Sequence, residues 1–218
     1  ATNELQKLGI SRVPYKISCA TALNGEVEPP GDKSISHRAV ILNSIANGSS
    51  EITNYLNGAD TLATVECLKT LGIDIKLSLQ TVKEQCFGGL NLKLVGNNIE
   101  GITKANKVLN ARNSGTTMRL ITSIVASRPF LTVITGDESL SSRPMGRLIE
   151  PLRIMGAEIW GRENGKLAPL KIRGRQLEGI EYTLPVASAQ LKSALIIAGI
   201  FAKGDNIIHQ PSHSRDHT

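Results

Sequence analysis

Two stretches of this chain spell the same unit twice. "ITNYLNGADTLATVECLKTLGIDI" (52–75) and "VITGDESLSSRPMGRLIEPLRIMGAEI" (133–159) each run from strand-like residues through a polar loop into a helical pattern and then a strand. Each closing strand begins just after a glycine, Gly72 or Gly156, 84 positions apart (156 − 72). Leu68 and Leu152 stand four residues before those glycines, and Ile75 and Ile159 three after. That spacing exceeds the roughly 20–50 residues of a solenoid repeat. It suits a whole supersecondary unit.

The segments that precede these strands match as well, and a third copy joins them. "SISHRAVILNSIA" (34–46), "SGTTMRLITSIVA" (114–126) and "SAQLKSALIIAGI" (188–200) each open with small polar residues, place a cation early and continue as an apolar helical run. Ser34 and Arg38, Gly115 and Arg119, and Ser188 and Lys192 are all four apart, which on a helix puts them on one face, one turn from each other. Three units of helix, strand, loop, helix and strand result, with "LNLKLVG" (90–96) and "PLKIRG" (169–174) as further strands. After "GDNIIHQPSHSRDHT" the pattern predicts another helix and strand, so the third unit reads as truncated at Thr218 and the chain as part of something longer. The fold class that follows is α/β (α+β) with repeated units.

Aromatic residues make up only 3% of the 218, so the core is expected to rest on Leu, Ile, Val and Ala. The formal charge of +6 implies an anionic partner. Nucleic acid usually calls for dense Lys/Arg runs or stacking aromatics. Here the cations are spread singly, which favours a small anion. Cys19, Cys67 and Cys86 form no CxxC pair and read as reduced thiols. The N-terminal "ATNELQKLGI" has the apolar core of neither a signal nor a membrane span. His209, His213 and His217 are spaced by four, but Pro211 interrupts any shared helix, so they read as loop histidines and no metal site is expected.

"PGDKSISHRAV" (30–40) packs Lys33, Ser34, Ser36, His37 and Arg38 against an apolar run. A helix N-terminus leaves backbone N–H groups unpaired and carries partial positive charge, so it stabilises an anion, more so beside a hydroxyl and a cation. Three such termini could converge on one phosphate or carboxylate. Ser34 taken alone reads as a helix N-cap. Arg38, Arg119 and Lys192 taken singly read as solvated cations; their recurrence in three units favours a shared site. Arg143 reads equally as a ligand cation or as a loop residue before an N1 proline, Pro144.

The blocks "PGDKSISHR" (30–38), "NSGTTMR" (113–119), "GDESLSSRPMGRL" (136–148), "PVASAQLKSA" (185–194) and "SRDHT" (214–218), in this order, resemble the N-terminal portion of the 5-enolpyruvylshikimate-3-phosphate (EPSP) synthase family. The paired "SAQ" and "SRDHT" resemble one bacterial subclass of it. The resemblance implies a cytoplasmic, monomeric full-length enzyme of two domains, each made of three βαβαββ units about a pseudo-threefold axis. It implies transfer of the enolpyruvyl group of phosphoenolpyruvate to the 5-hydroxyl of shikimate 3-phosphate, through a tetrahedral intermediate, with no metal or organic cofactor. Residues 1–24 then correspond to a first strand region that packs with a C-terminal domain, and are expected to be mobile without it. Residues 25–218 correspond to the shikimate 3-phosphate-binding domain.

Carried over by motif, Lys33 meets both substrates and, with Gln190, is assigned as catalytic. Ser34, Arg38, Ser188, Ala189, Gln190 and Arg215 hold shikimate 3-phosphate. Asn113, Gly115, Arg143 and Gln190 belong to the phosphoenolpyruvate side, Asn113 shaping the turn and Gly115 allowing close backbone approach. Ala189 stands where many members have Ser. Gly115 stands where some members of the subclass have Ala, a methyl that accompanies glyphosate tolerance, so the resemblance implies sensitivity. The family's acidic proton-transfer groups lie in its C-terminal domain, and proton transfer needs them within hydrogen-bond reach. This chain is therefore expected to bind substrate and to be inactive alone. Two rival readings are a domain similar to the enolpyruvyl transferase acting on UDP-N-acetylglucosamine, whose opening differs from Lys-Ser-x-Ser-x-Arg, and a nucleic-acid-binding α/β domain.

Overall fold

The computed structural model describes residues 19, 21–22, 24–26, 29–79 and 89–212. Its elements fall into the three units that the repeat predicts. The first holds α1 (Lys33–Ile45), β1 (Asn47–Tyr55), α2 (Ala59–Thr70), β2 (Asp74–Leu79) and β3 (Leu90–Asn97). In the second, β4 (Leu109–Asn110) leads to α3 (Gly115–Ala126), β5 (Leu131–Thr135), the short α4 (Glu138–Ser141), α5 (Gly146–Ile154), β6 (Glu158–Gly161) and β7 (Leu167–Arg173). The third has β8 (Leu177–Glu178), β9 (Glu181–Thr183), α6 (Ala189–Gly199), β10 (Ala202–Lys203) and β11 (Ile207–His209).

Equivalent strands pair equivalently. The first sheet has the order β1-β3-β2, the second β4-β5-β7-β6, and β3 and β7 each run antiparallel to both neighbours of their own unit. β4 is parallel to β5 across α3, and β9 is parallel to β11 across α6. Along β3 the buried Leu90, Leu92 and Leu94 alternate with outward residues, as do Ala168, Leu170 and Ile172 along β7. That period of two is a sheet with one face on a core and one in solvent.

The 84-residue offset holds in detail at the turn after the second helix of each unit. The N–H of Ile73 donates to Leu68 O (3.1 Å), and that of Ala157 to Leu152 O (3.0 Å). Gly72 and Gly156 sit between with φ of +97° and +107°, a left-handed C′ position that a Cβ would strain. Leu68 and Leu152 are fully buried, and Ile75 and Ile159 nearly so. In the polar loop of the second unit the structure adds α4, capped by Asp137. The N–H of Arg143 donates to Leu140 O (3.1 Å), just past the C-cap of α4, Ser142. Helix α5 opens at Gly146, so Pro144 lies two residues before its first residue and not at N1, one of the two readings that the sequence allows for this stretch.

Helix α3 is buried on nearly every side and packs against α2, α5 and α6. α2 bridges α1 to α3, and α5 bridges α3 to α6. In the first two units the second helix thus joins its own first helix to the first helix of the next unit. The core is aliphatic as expected, with Tyr55 its one fully buried aromatic among the described residues, its hydroxyl donating to Thr61 O (2.8 Å). Cys67 is buried and its thiol is pushed up to about 12, mainly by that burial; Cys86 and nearly all of residues 1–24 lie outside the described residues. His209 is the last residue of β11, where the sequence suggested a loop, and its Nε2 lies 2.8 Å from Glu181 Oε1 on the neighbouring strand. His213 and His217 lie outside the described residues.

Candidate functional site

The three first helices, α1, α3 and α6, are each capped by a side chain. The N–H of Ile35 donates to Asp32 Oδ1 (2.7 Å), that of Thr117 to Ser114 Oγ (3.1 Å) and that of Leu191 to Ser188 Oγ (3.3 Å). Such a cap is worth about 1 kcal/mol. For α1 the carboxylate of Asp32 takes the position that the sequence suggested for Ser34. Ser34 is the second residue of α1 and exposed, its hydroxyl released from capping.

One cleft draws on all three helix openings. Ser34 and Arg38 line it from α1, Thr116 from α3, and Ala189, Gln190 and Ser193 from α6. Gln190 Nε2 donates to Thr116 Oγ1 (2.8 Å) and closes the wall between α6 and α3. An adjoining pocket shares Gln190 and adds Ser188, Arg119 and Arg147. Lys33, the first residue of α1, is half exposed and pairs with the Asp60 carboxylate at the start of α2.

Gly115 begins α3 and is buried between two guanidinium groups. A Cβ built on it would stand 2.6 Å from Arg119 Nη1 and 3.7 Å from Arg143 Nη1. Arg119 Nη1 donates to Gly115 O (3.2 Å), one turn back on its own helix. Burial, and then the charge of Arg143, lower the pKa of Arg119. Arg143 Nη2 donates to Asn113 Oδ1 (2.6 Å), and Asn113 Nδ2 donates to Asp137 Oδ2 (2.7 Å). The Leu140 N–H, followed by Asn113, holds the Asp137 carboxyl below the usual carboxylate range. In the turn before α3, Arg112 has φ +52° and its N–H donates to Asn110 Oδ1 (2.8 Å). Asn113 acts as the arm that aims Arg143 at Gly115.

Beneath the cleft runs a buried polar chain. His37 Nδ1 lies 2.7 Å from Thr64 Oγ1, which lies 2.7 Å from Thr117 Oγ1. Thr117 Oγ1 in turn is 2.7 Å from Ser114 Oγ and 3.2 Å from Asp60 O. The pKa of His37 is lowered to about 4, first by burial and next by Lys33, with Arg38 adding to this and Asp60 opposing it. The imidazole is neutral at pH 7.

The structure therefore brings Ser34, Arg38, Ala189 and Gln190 to one cleft, Ser188 to the next, and Asn113, Gly115 and Arg143 to a third cluster around the α3 opening. Of the three recurring cations only Arg38 lines the cleft, and Arg119 lines the adjoining pocket. Lys192 lines a neighbouring groove that shares Arg38, Ala189 and Ser193 with the cleft, and its Nζ donates to Gln210 Oε1 (3.1 Å). Arg215 lies outside the described residues. Thr116 and Asp60 are functional residues that the sequence reading does not single out; Thr116 follows Gly115, whereas Asp60 has no singled-out neighbour. Among the described residues, no group of three or more His, Cys, Asp or Glu is placed to hold a metal ion, and no helix is long and apolar enough to cross a membrane.

A clustered set of exposed hydroxyls, amides and guanidinium groups at helix N-termini can hold a dianion and orient a second one beside it. The profile of the EPSP synthase (3-phosphoshikimate 1-carboxyvinyltransferase) family matches residues 17–218. A 3-phosphoshikimate 1-carboxyvinyltransferase of Desulforudis audaxviator is 51% identical over 203 residues, which are 93% of this chain and 45% of that protein. One of Alkaliphilus metalliredigens is 48% identical over 196 residues, 90% of this chain and 44% of that protein. A solved EPSP synthase of Acinetobacter baumannii superposes with a TM-score of 0.79 at 39% identity, covering 89% of this chain and 42% of that one. The chain spans less than half the length of these relatives.

Proposed function

The chain belongs to the EPSP synthase family, and from that premise we propose that its three helix openings form the shikimate 3-phosphate side of an enolpyruvyl transfer site. Ser34, Arg38, Ser188, Ala189 and Gln190 take the phosphorylated ring, with Arg215 as a further phosphate contact. Lys33, Asn113, Gly115, Arg143 and Gln190 take phosphoenolpyruvate. The observation that carries this reading is the single cleft lined from α1, α3 and α6 and closed by the Gln190–Thr116 hydrogen bond. Residues 25–218 serve as the substrate-binding domain, and residues 1–24 pack with a second domain.

In the reaction, the 5-hydroxyl oxygen of shikimate 3-phosphate adds to C2 of phosphoenolpyruvate while C3 gains a proton, giving the tetrahedral intermediate. Loss of a C3 proton and of phosphate then forms the enol ether. Arg143 and Arg119 stand where they can hold negative charge on the phosphoenolpyruvate side. Lys33 reaches the same region once its ammonium leaves, or shares, the Asp60 carboxylate. The groups that move the C3 proton belong to the second domain, so this chain binds without turning over. The reading places the enzyme in the cytoplasm as a monomer.

The test is ligand-linked stabilisation of the purified chain. A ligand at 100 times its Kd raises stability by about 2.7 kcal/mol. Shikimate 3-phosphate should raise the melting temperature and UDP-N-acetylglucosamine should leave it unchanged, with no phosphate released from phosphoenolpyruvate. Equal stabilisation by both, or by an oligonucleotide in a salt-steep manner, would replace this reading with one of its rivals. Release of phosphate by the chain alone would overturn the expected inactivity.

A further inference from the structure

We infer that His37 is a positioning residue: through Thr64 and Thr117 it fixes where the opening of α3 stands relative to Lys33, Ser34 and Arg38 on α1. His37 lies on α1 but is 1% exposed and turned away from the cleft-lining set. Thr64 is on α2 and Thr117 on α3, both fully buried, so the chain of hydroxyls crosses three helices in two steps of 2.7 Å. It ends on Ser114, the cap of α3, immediately before Gly115. Thr117 also reaches Asp60 O, and the Asp60 carboxylate pairs with Lys33. Helix α2, which supplies no residue to the proposed ligand set, therefore ties two of the three ligand-bearing helices, α1 and α3, together through one face, Asp60 and Thr64 being four residues apart.

Simple packing does not account for an imidazole here. Its Nε2 is buried with no hydrogen-bond partner among the described residues. An aliphatic side chain would fill the space without that orphaned atom. What the imidazole adds over an aliphatic group is the Nδ1 contact, which holds Thr64 Oγ1 at 2.7 Å while that oxygen also lies 2.7 Å from Thr117 Oγ1. The charged groups facing it, Lys33, Arg38 and Asp60, sit on the same two helices, α1 and α2.

The helix-positioning part of the inference stands on this geometry; its consequence for ligand affinity rests on the reading under Proposed function. Two measurements on the intact chain separate the two. The first, without ligand, compares amide chemical shifts of the wild type, His37→Leu and His37→Asn, the last keeping a polar atom at the δ position. His37→Leu is expected to shift the amides of Gly115, Thr116 and Thr117 on α3, with those of Ile207–His209 on β11 unmoved, and His37→Asn to restore them. Shifts confined to α1 and Thr64 would overturn the inference whether or not any ligand binds.

The second titrates shikimate 3-phosphate into His37→Leu, Thr117→Val and the double variant. Each single variant should weaken binding about tenfold, or 1.4 kcal/mol, and the double variant no further, because both cut one chain. His37→Asn should recover most of the affinity. Additive losses, or a loss that tracks melting temperature alone, would overturn the positioning role. Absence of wild-type binding together with the α3 shifts would leave the helix coupling standing and remove the proposed substrate.

Discussion

Gln190 Nε2 donates to Thr116 Oγ1 at 2.8 Å, joining the openings of two helices that are 74 residues apart in the chain. The two residues occupy equivalent places in successive units, so the bond is a seam between repeats as well as a wall of the cleft. Gln190→Ala removes the bond at a partly exposed position. Its cost in stability should stay within about 1 kcal/mol, while affinity for shikimate 3-phosphate falls about tenfold or more. Urea unfolding beside calorimetric titration of the same variant checks both halves. A stability loss with unchanged affinity would make the bond purely structural.

Gly115→Ala separates the ligand site from the fold. The new methyl meets Arg119 Nη1 at 2.6 Å, but that atom is the far end of a flexible side chain and can give. Folding stability should therefore change by no more than about 1 kcal/mol, since α3 gains an alanine where glycine is the poorer helix former. The displaced guanidinium no longer stands beside Arg143. Binding of phosphoenolpyruvate in the presence of shikimate 3-phosphate is expected to weaken, with shikimate 3-phosphate alone less affected. Equal weakening of both ligands would count against this division of the site.

Leu68 and Leu152 test the internal repeat energetically. Both are fully buried, and both accept the hydrogen bond that ends the second helix of a unit. Leu68→Ala and Leu152→Ala should each destabilise by about 2–5 kcal/mol. Trp160, the one tryptophan, is half exposed on the outer face of the second sheet and reports unfolding by fluorescence. A marked disparity between the two losses would mean that the equivalent positions are not equivalently packed.

His37 gives the fold a pH dependence of definite sign. Its pKa is about 4 when folded and near 6.5 when unfolded. Between those values the unfolded chain binds more protons, so stability falls as pH drops from about 6.5 to about 4 and this contribution then levels off. The full effect is about 3 kcal/mol at 1.36 kcal/mol per unit. Wild type and His37→Asn compared by urea unfolding at pH 7 and pH 4.5 isolate it from the carboxylates common to both. Parallel pH profiles would place the acid sensitivity elsewhere.

The periodic parts of this architecture were legible in the sequence. The helices read at 34–46, 114–126 and 188–200 appear at Lys33–Ile45, Gly115–Ala126 and Ala189–Gly199, and the Gly72–Gly156 register holds to the hydrogen bond. Apolar spacing and left-handed glycines are local signals, and local signals survive translation into structure. The cap of α1 was missed because Asp32 and Ser34 are both good caps and only the helix start decides between them. Asn113, Asp60 and Thr116 gained their roles from partners 24 to 74 residues away, which no spacing rule encodes. Lys192 differs because the three helices start at different points: Arg38, Arg119 and Lys192 are the sixth, fifth and fourth residues of α1, α3 and α6, so the shared four-residue spacing does not put them at one helical position.

Three helix openings are proposed to make one anion site within this chain. The most direct test is calorimetric titration of shikimate 3-phosphate into the wild type and into Arg38→Ala, with UDP-N-acetylglucosamine as control. Saturable binding of shikimate 3-phosphate alone is expected, lost on Arg38→Ala while the variant keeps its melting temperature. A folded wild-type chain that binds neither compound, or an Arg38→Ala variant that binds as well as the wild type, would contradict the proposal.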